Sequence, residues 1–572
     1  MARSEAVAGP AAPWRNGVVA LAAVITIGLT LAAASVERVA AVQNFILVFG
    51  SLLIEAVPFI LVGAAVSAVI EVFVPISAFE RLTRLPRPVQ LPAAAVAGFA
   101  FPVCDCGSVP VARRLASKGL TPGAAVTFML AAPILNPLVI ASTIVAYRGR
   151  GVLWQMVAGR MILGIVSAIA VGWVIGSRTK EEFLRPRPSD SLVHHHHHDS
   201  RSTEFFGHLA ADFIFMGRYL VLGAAVAGAL QTFLPQSILS SVAGVPVLDV
   251  VVMMALAAAL SICSESDAFV AASFVQFGFA AQLAFLCFGP MVDMKLGFLY
   301  SGTFGARFFR TVDSGDRQMS TTELPLTLDA AVPASGGAKR VSPARTAVAV
   351  AVGAWAALFW FVLLSGRISL YLGTRTNWVV PAGAVILTAA FVGRALSLRV
   401  ADPEPIKARD AVGLSVLVLP VVLLLALPPA SLGSYAVGRR SGVASAFAST
   451  AGAAIPEHGD ISMVSVASAL ADRETMKVLV QRAGSVVSFT GFISRQSDEP
   501  ATEFLLNRFV ITCCVADAID TQVRVANAPP GEFKPDQWVR VTGKLYPLGR
   551  EVIVDASAVT GVPRPRHPYL NP

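Results

Sequence analysis

Long uninterrupted apolar runs dominate this sequence and limit its possible folds more than any other feature. The runs at residues 45–74 and 152–176 are long enough to cross the hydrocarbon core of a bilayer, which takes about 20 helical residues. Of the 572 residues, 55% are hydrophobic and 14% are charged, whereas a soluble domain carries about 25% charged residues. We therefore predict an all-α polytopic membrane bundle, in which the first run, residues 17–36, is a retained helix.

Hydropathy and charge divide the chain into five parts. These are an N-terminal helix in residues 1–42, a dense membrane domain in 43–310, a cytoplasmic linker in 311–345, three further transmembrane helices in 346–428, and a β-rich domain outside the cytoplasm in 429–572. Lys and Arg lie mostly in short loops between apolar runs, which is how membrane proteins fix their orientation. The net charge of +9 therefore does not indicate nucleic-acid binding, which would cluster basic residues on one soluble face.

Two series of matching residues indicate an internal repeat within the membrane domain. The tetrapeptide Gly-Ala-Ala-Val occurs at residues 63–66 and again at 223–226. Farther along, Cys106, Pro133 and Asn136 align with Cys263, Pro290 and Asp293 at a constant offset. The predicted repeats cover about 43–176 and 207–310. Duplicated halves are a common construction of secondary transporters.

Basic residues bear on the orientation of the two halves. Three of them lie at 113–118, after the first cysteine pair, whereas the corresponding segment, residues 264–279, contains no Lys or Arg. If basic loops are cytoplasmic, the halves are inverted, and both cysteine segments re-enter the membrane without crossing it. Arg148 and Arg150 argue against this arrangement, because they would then lie outside. The alternative is a full crossing at each segment, which gives parallel halves.

The first candidate site is the sequence Pro-Val-Cys-Asp-Cys-Gly-Ser-Val-Pro at residues 102–110. Its prolines and glycine disfavour a continuous helix, and non-helical backbone at membrane depth is tolerated where protein shields it or where it lines a wet cavity. Asp105 needs a partner or water there. Cys104 and Cys106 supply sulfur ligands suited to a soft metal or metalloid. Alternatively, both are small packing residues in a kinked helix.

Two related segments interrupt apolar runs near their centres. The first contains Asn136 between two prolines, and the corresponding segment of the second half contains Asp293 and Lys295. Charged residues within an apolar run are costly unless they are paired, hydrated or near a boundary. The interruption at equivalent places favours a functional role. The alternative is that Lys295 reaches a membrane interface and Asp293 lies close to it.

Acidic residues mark further positions along the predicted pathway. Glu265 and Asp267 follow Cys263, and acidic groups beside a pathway are natural proton or cation sites; a solvated loop between helices is the alternative. Glu55 lies deep in a long apolar run, where we expect it to be functional or paired. The predicted pathway residues are Glu55, Cys104, Asp105, Cys106, Asn136, Cys263, Glu265, Asp267, Asp293 and Lys295, with Cys104 and Cys106 as candidate metal ligands.

The last part of the chain has the sequence pattern of a small β-barrel. Five β-rich runs lie at 486–494, 504–515, 521–527, 538–546 and 552–557. This pattern predicts a mainly-β, OB-like soluble domain. Cys513 and Cys514 lie at the end of the second run. Adjacent residues on a strand point to opposite faces of the sheet, so both cysteines could bind one metal only if the strand had a bulge there. One packing and one functional cysteine, or a pair with redox behaviour, are both open interpretations.

Several functions are not indicated by the sequence. It lacks a nucleotide-binding loop, the His-Glu-x-x-His sequence of zinc proteases and the Gly-x-Ser-x-Gly elbow of hydrolases. We therefore expect no enzyme, no cofactor and no ATP-driven transport by this chain. Five consecutive histidines at 194–198 could bind metal, but no second ligand cluster lies near them, and a low-complexity accident is the simpler interpretation.

The motifs resemble those of two known families. Residues 104–113, 118–125, 132–137, 263–268 and 289–295 resemble the YraQ/ArsP-like permease family, over roughly residues 40–310. Members of that family are similar to efflux permeases, and one branch exports trivalent organoarsenicals. Residues 365–371, 377–381, 508–518 and 538–543 resemble a YcgQ-type permease subunit, over about 345–572. That subunit usually accompanies such a permease, so the resemblance implies a complex fused into one chain.

We therefore expect a multi-pass permease of the bacterial plasma membrane, with lipid and a small solute or ion as partners and homo-oligomerisation open. Efflux of a soft metal, metalloid or organoarsenical, coupled to a proton or ion gradient, is the sharper prediction. A cation permease without thiol chemistry is the broader one. The alternative class is a non-transporting envelope assembly or sensor protein whose working part is the C-terminal domain. A membrane redox enzyme that depends on Cys513 and Cys514 is a third.

Overall fold

A computed structural model describes most of the chain. It covers residues 39–75, 85–100, 104–147, 151–176, 201–233, 247–304, 340–400, 406–427, 430–440, 460–495 and 500–571, with short gaps at 266, 275–276, 407, 472, 501, 529–532 and 550. The predicted N-terminal helix up to residue 38, the five histidines and most of the predicted linker lie outside the described residues.

The described part of the first 304 residues is helical. Its helices are α1 (Ala40–Phe73), α2 (Arg87–Ala97), α3 (Asp105–Ser117), α4 (Pro122–Leu135), α5 (Pro137–Ala146), α6 (Leu153–Ile175), α7 (Arg201–Phe233), α8 (Leu248–Leu260), α9 (Asp267–Ser273), α10 (Phe279–Phe288) and α11 (Met294–Thr303). Apolar side chains lie around most of the circumference of α1, as expected of a helix surrounded by other helices and lipid.

The two long helices α1 and α7 pack against each other in opposite directions. Near the start of α1, the Asn44 side-chain amide donates to Thr232 Oγ1 at 3.2 Å, close to the end of α7. Near the end of α1, the Ser67 hydroxyl donates to Asp212 Oδ2 at 2.8 Å, close to the start of α7. The bundle therefore contains an antiparallel pair formed by α1 and α7.

Helices are interrupted at two of the places where the sequence predicts breaks, Asn136 and Asp293. The predicted break within the first cysteine segment is wrong from Asp105 onward, because α3 continues as an unbroken helix through Gly107 and Pro110. α4 and α5 meet at Asn136 with a bend of 40°, and prolines on both sides favour the break because they remove backbone donors and fix φ. Farther along the chain, α8 ends at Leu260, and the next residue, Ser261, has left-handed backbone angles (φ 48°, ψ 43°). α10 and α11 are separated by residues 289–293. The breaks at Asn136 and Asp293 are thus both present.

A second group of helices packs on this bundle. It consists of α12 (Pro343–Leu364), α13 (Ile368–Tyr371), α14 (Val379–Leu396) and α15 (Ala408–Ala426), with short strands β1 (Arg340–Val341) and β2 (Arg399–Val400). Trp355 Nε1 donates to the Leu417 carbonyl at 3.0 Å, joining α12 to α15. Five described helices, α1, α6, α7, α12 and α14, are long and apolar enough to cross a bilayer, and the bent pair α4 and α5 is a sixth candidate. The predicted multi-span helical fold is therefore confirmed.

The C-terminal part forms a closed five-stranded barrel. It follows α16 (Ser434–Arg440), α17 (Met463–Ala471) and α18 (Arg473–Gln481), and its strands are β3 (Val486–Ser494), β4 (Phe504–Val510), β5 (Ile519–Ala526), β6 (Trp538–Leu548) and β7 (Glu551–Gly561). The strand order is β3-β4-β5-β7-β6, and β5 with β7 is the parallel pair. Alternate residues such as Val487 and Phe489 fill a core that Leu479 of α18 also contacts. The predicted five-stranded β domain is confirmed.

The second barrel strand is shorter than predicted. β4 ends at Val510, and residues 511–514 leave the sheet before a 3₁₀ turn at Val515–Asp517. The prediction that Cys513 and Cys514 alternate as neighbours on a strand is therefore wrong, because neither belongs to the strand.

One outer face of the barrel packs on the helices. Phe492 lies 5.8 Å, between ring centroids, from both Phe509 and Trp538, and these rings belong to the same apolar core as α1 and α12. Beside them, the Gly373 amide donates to the Cys513 carbonyl at 2.8 Å. The barrel and the helices therefore share a continuous buried interface.

Asp520 is a buried carboxylate at the start of β5. It is 0% exposed, and neither carboxylate oxygen has a hydrogen-bond partner among the described residues. Burial raises the pKa of Asp520 to about 7 from an ordinary 3.8, and the nearby Gln522 side chain offsets this only in part. Because the pKa is higher in the folded state, the folded protein binds the extra proton between roughly pH 4 and pH 7, and stability falls as the pH rises through this interval.

We predict that Asp520→Asn raises the melting temperature of the full chain more at pH 8 than at pH 5, since each pKa unit corresponds to about 1.4 kcal/mol. Thermal unfolding in detergent at both pH values measures this difference. The matched control is Glu551→Gln, which changes an exposed carboxylate of the same domain. Equal shifts at both pH values for Asp520→Asn would contradict the prediction.

Candidate functional site

Asp293 and Lys295 form a buried ion pair at the break between α10 and α11. Asp293 Oδ2 lies 3.7 Å from Lys295 Nζ, and the side chains are 1% and 4% exposed. Asp293 also caps α11, because its Oδ1 accepts from the Leu296 amide at 2.6 Å. The carboxylate is therefore held by the helix that follows it while it faces the ammonium group.

The first cysteine segment meets this ion pair. The Asp105 carboxylate, at the start of α3, interacts electrostatically with Lys295 and lies 4.0 Å from the Cys106 sulfur. Cys263, at the break after α8, interacts with the side chain of Cys104. Sulfur and charged groups from both halves thus form one assembly. We call it the central cluster and define it as Cys104, Asp105, Cys106, Cys263, Asp293 and Lys295.

Two glycines let the broken segments approach the long helices. A Cβ on Gly63 of α1 would lie 2.5 Å from the carbonyl oxygen of Gly107 in α3, and a Cβ on Gly223 of α7 would lie 2.5 Å from Cα of Lys295. Neither position has room for a side chain, so glycine is required. Each glycine begins a Gly-Ala-Ala-Val sequence. The two Gly-Ala-Ala-Val sequences therefore seat the segments that carry the central cluster.

Glu55, near the middle of α1, faces the C-terminal domain. It is 4% exposed, and the Cys513 thiol donates to Glu55 Oε1 at 2.9 Å. The Cys514 side chain is hydrogen bonded to the same carboxylate. Glu55 also interacts electrostatically with Lys295 and Asp105, so it adjoins the central cluster. Sequence reasoning assigned Glu55 and the two cysteines to different sites, and the fold brings them together.

Asp517 shapes the segment that carries these cysteines. Its Oδ1 accepts from the Thr512 amide at 3.0 Å, and its Oδ2 accepts from the amides of Cys513 and Cys514 at 2.8 and 3.3 Å. Burial raises the pKa of Asp517 to about 6, and the amide hydrogen bonds counteract part of this rise. Sequence reasoning missed this residue. Its signal was the capping-box spacing, an acidic residue three positions after the capped one.

Asp267 is paired with Arg160 of α6. The Arg160 Nη2 lies 2.6 Å from Asp267 Oδ2, and both side chains are nearly inaccessible. Arg160 also donates to Thr143 Oγ1 at 2.9 Å and to the Ser264 carbonyl at 3.3 Å. These bonds tie the break after α8 to α5 and α6. Arg160 is therefore the ion-pair partner of Asp267, which the sequence alone did not identify.

Glu265 and Asn136 each retain a buried polar atom that has no hydrogen-bond partner among the described residues, Glu265 Oε1 and Asn136 Nδ2. Asn136 Oδ1 caps α5 by accepting from the Leu138 amide at 3.0 Å. Glu265 interacts electrostatically with Glu55 and Asp105, which places it beside the central cluster. Buried polar atoms of this kind are suited to binding a water molecule or a cation.

The central cluster joins two kinds of chemistry. Its thiols suit soft cations and metalloids, and its carboxylates suit protons or cations. Tyr300, which sequence reasoning missed, interacts electrostatically with Asp293 and Asp105, and its hydroxyl donates to the Met291 carbonyl at 3.1 Å. Within the described residues, Cys104 and Cys106 belong to no compact set of three metal-ligand atoms, so the metal role assigned to them stays a prediction.

Comparisons with known proteins cover both parts of the chain. A family described as predicted permease matches residues 41–312, and the DUF1980 C-terminal domain matches residues 473–572. The UPF0718 protein YcgR of Bacillus subtilis (strain 168) is 39% identical over 267 residues, which are 46% of this chain and 89% of that protein. No solved structure matches the chain at comparable significance.

A second relative comes from Streptococcus mutans serotype c. Its name describes a predicted subunit of a two-component membrane permease complex, and it is 34% identical over 265 residues, 46% of this chain and 87% of that protein. The family match spans the residues of the central cluster, and the family and both relatives indicate a membrane permease. The chain belongs to the predicted permease family, and it carries a DUF1980 C-terminal domain in the same polypeptide.

Proposed function

We propose that this protein is an efflux permease for a small thiophilic solute, such as a soft metal ion, a metalloid or an organoarsenical. The observation that carries the proposal is the central cluster, in which thiols and charged groups from both halves meet where the helices are interrupted. Such groups are expensive inside a membrane protein and usually mark a substrate or ion pathway. Efflux as the direction rests on the family resemblance.

Charge balance supports coupling to protons or ions. Asp105 and Asp293 both interact with the Lys295 ammonium, so the three groups carry a net negative charge when all are ionised. A cationic solute or a proton neutralises that charge. If the solute and the proton compete for the same carboxylates, movement of the proton in one direction is coupled to movement of the solute in the other, as the proposed gradient-driven efflux requires.

The pairing of α1 with α7 supports an inverted internal repeat. The Gly-Ala-Ala-Val sequence occurs in each of these helices, and the hydrogen bonds Asn44 to Thr232 and Ser67 to Asp212 make the helices antiparallel. Equivalent helices that run in opposite directions are the expected property of inverted repeats. In this proposal the repeats are 43–176 and 207–310, and their pseudo-symmetric centre coincides with the central cluster.

The placement of the barrel supports an extracytoplasmic C-terminal domain. β1 and β2 pair at one end of α12 and α14, and the loop at their other end contacts the barrel through Leu372 and Cys514. The first end carries Arg340, Arg345, Arg394 and Arg399, whereas the loop carries Arg367 and Arg375. Since the more basic end is expected in the cytoplasm, the barrel lies on the opposite side of the membrane.

The strand order of the barrel, with its parallel pair β5 and β7, fits an OB-like fold. We propose that this domain captures, gates or releases solute above the bundle. The name of the Streptococcus mutans relative refers to a two-component complex, and fusion of a permease with a DUF1980 domain would supply both components in one chain. A homo-oligomer remains a prediction of the sequence.

We predict that Asp293→Asn and Cys104→Ser each lower efflux of the transported solute by about tenfold or more, since about 1.4 kcal/mol of lost barrier stabilisation is a factor of ten in rate. Uptake into everted membrane vesicles, with a panel of zinc, cadmium, arsenite and methylated arsenicals, measures this. The control is Cys287→Ser, which removes a buried thiol outside the central cluster. Flux equal to that of the unsubstituted protein in all three variants would remove the site assignment and favour the envelope assembly or sensor alternative.

A second prediction separates stability from transport. Lys295→Gln leaves two carboxylates without their ammonium partner and should destabilise the protein by about 3–5 kcal/mol. The double variant Asp293→Asn/Lys295→Gln removes the ion pair and should recover part of that stability, because only Asp105 then lacks its ammonium partner, yet it should not recover efflux. Thermal unfolding and vesicle flux are measured side by side. Recovery of flux along with stability would show that the ion pair is only structural.

A further inference from the structure

We propose that Glu55, Cys513 and Cys514 form a binding site for a thiophilic divalent cation of the Zn²⁺ or Cd²⁺ class. One ligand atom from each residue lies within 4.8 Å of the others, and all three residues are buried. The Cys513 sulfur lies 2.9 Å from Glu55 Oε1. The site therefore lies where the C-terminal domain meets the middle of α1, and it joins residues that are 458 positions apart in the chain.

The backbone around the two cysteines is held in place by several independent contacts. Asp517 accepts hydrogen bonds from the amides of Cys513 and Cys514. The Cys513 carbonyl accepts from the Gly373 amide at 2.8 Å and from the Thr376 hydroxyl at 2.5 Å. Both thiols therefore point to the same carboxylate before any ligand is present. Such preorganisation lowers the entropic cost of binding.

Packing alone does not account for this combination of residues. Two buried cysteines could simply fill space, but a carboxylate inside an apolar bundle needs strong partners. Glu55 receives hydrogen bonds from thiols, which are weak donors. A cation bound to all three side chains would satisfy the carboxylate and convert the two weak donors into strong ligands.

The donor set selects the class of cation. Two sulfurs favour soft or borderline metals over Mg²⁺ and Ca²⁺, which prefer oxygen ligands. Zn²⁺ in proteins is bound in some sites by two cysteines and one further side chain, with water or solute in the fourth position. A trivalent arsenical would be bound by thiols alone and would not need Glu55 as a ligand.

The charge and proton balance are consistent with such a site. Binding of one divalent cation converts both thiols to thiolates and releases two protons to solvent. With Glu55 ionised, the occupied site carries one net negative charge. Lys295 also interacts electrostatically with Glu55 and attenuates that charge in part, although it is shared with Asp105 and Asp293. Binding at this site does not require that the bundle transports the same cation, so the inference goes beyond the proposed function.

The experiment measures Zn²⁺ binding to the purified full chain in nanodiscs under reducing conditions. A background variant replaces Cys104, Cys106, Cys263 and Cys287 with serine and retains the two cysteines of the proposed site. We expect one tightly bound Zn²⁺, two sulfur neighbours at about 2.3 Å in X-ray absorption, and the release of two protons. Addition of Cys513→Ser, Cys514→Ser or Glu55→Gln to this background should each weaken binding by about tenfold or more.

A measurement on chains with a single substitution covers the case in which the background variant fails to fold. Zn²⁺, but not Mg²⁺, should raise the melting temperature of the unsubstituted protein and of Cys287→Ser. The rise should be lost in Cys513→Ser and in Glu55→Gln. A rise that persists in both, or a bound metal with no sulfur neighbour, overturns the site. A rise that is lost in Cys104→Ser but retained in Cys513→Ser would place binding in the central cluster and also overturns it.

The same measurement separates this site from the proposed function. Asp293→Asn should lower efflux by about tenfold or more and leave the Zn²⁺-dependent rise in melting temperature unchanged. If Asp293→Asn loses efflux as predicted, but Zn²⁺ does not raise the melting temperature of Cys287→Ser, the permease proposal stands and the metal site is excluded. If Zn²⁺ binds as expected and Asp293→Asn transports normally, the metal site stands and the pathway assignment falls.

Discussion

A carboxylate or an ammonium group inside a helical membrane bundle is costly unless a partner of opposite charge lies beside it. Asp293 and Lys295 pair with each other at the start of α11, and Asp105 of α3 has the same Lys295 as its cationic partner. Their mutual attraction ties the first half of the membrane domain to the second. The other features follow from this contact: the interrupted helices bring the groups to one place, and Gly63 and Gly223 permit the approach.

The same requirement explains how the C-terminal domain is attached. Glu55 extends the charged region from the central cluster to the surface of α1, where the cysteine segment of the barrel domain covers it. Aromatic rings around Phe492 and the backbone bond from Gly373 to Cys513 complete the contact. In this chain, one polypeptide supplies both sides of that contact. Fusion of the two parts is therefore consistent with a permanent interface.

Sequence alone predicted much of this fold, because apolar runs, prolines and β-rich runs are local signals. The break at Asn136 and the strands of the barrel fall close to the predicted positions. The contact of Glu55 with Cys513 could not be predicted, since it depends on docking between segments far apart in the chain. The end of β4 was also missed, because the apolar residues after Val510 look like a continued strand until Asp517 captures their amides. The partner of Asp267, Arg160, was visible as a charged residue, but its pairing was not.

The central claim is that the two halves meet at their cysteine segments, and a disulfide between Cys104 and Cys263 tests it most directly. These two side chains interact with each other in the structure, and a disulfide forms only when the backbones already lie close together. A variant that retains only these two cysteines would be oxidised in native membranes and examined by peptide mass spectrometry. We predict an intramolecular peptide pair that joins the two halves. Two separately alkylated peptides without the joined pair would contradict the account.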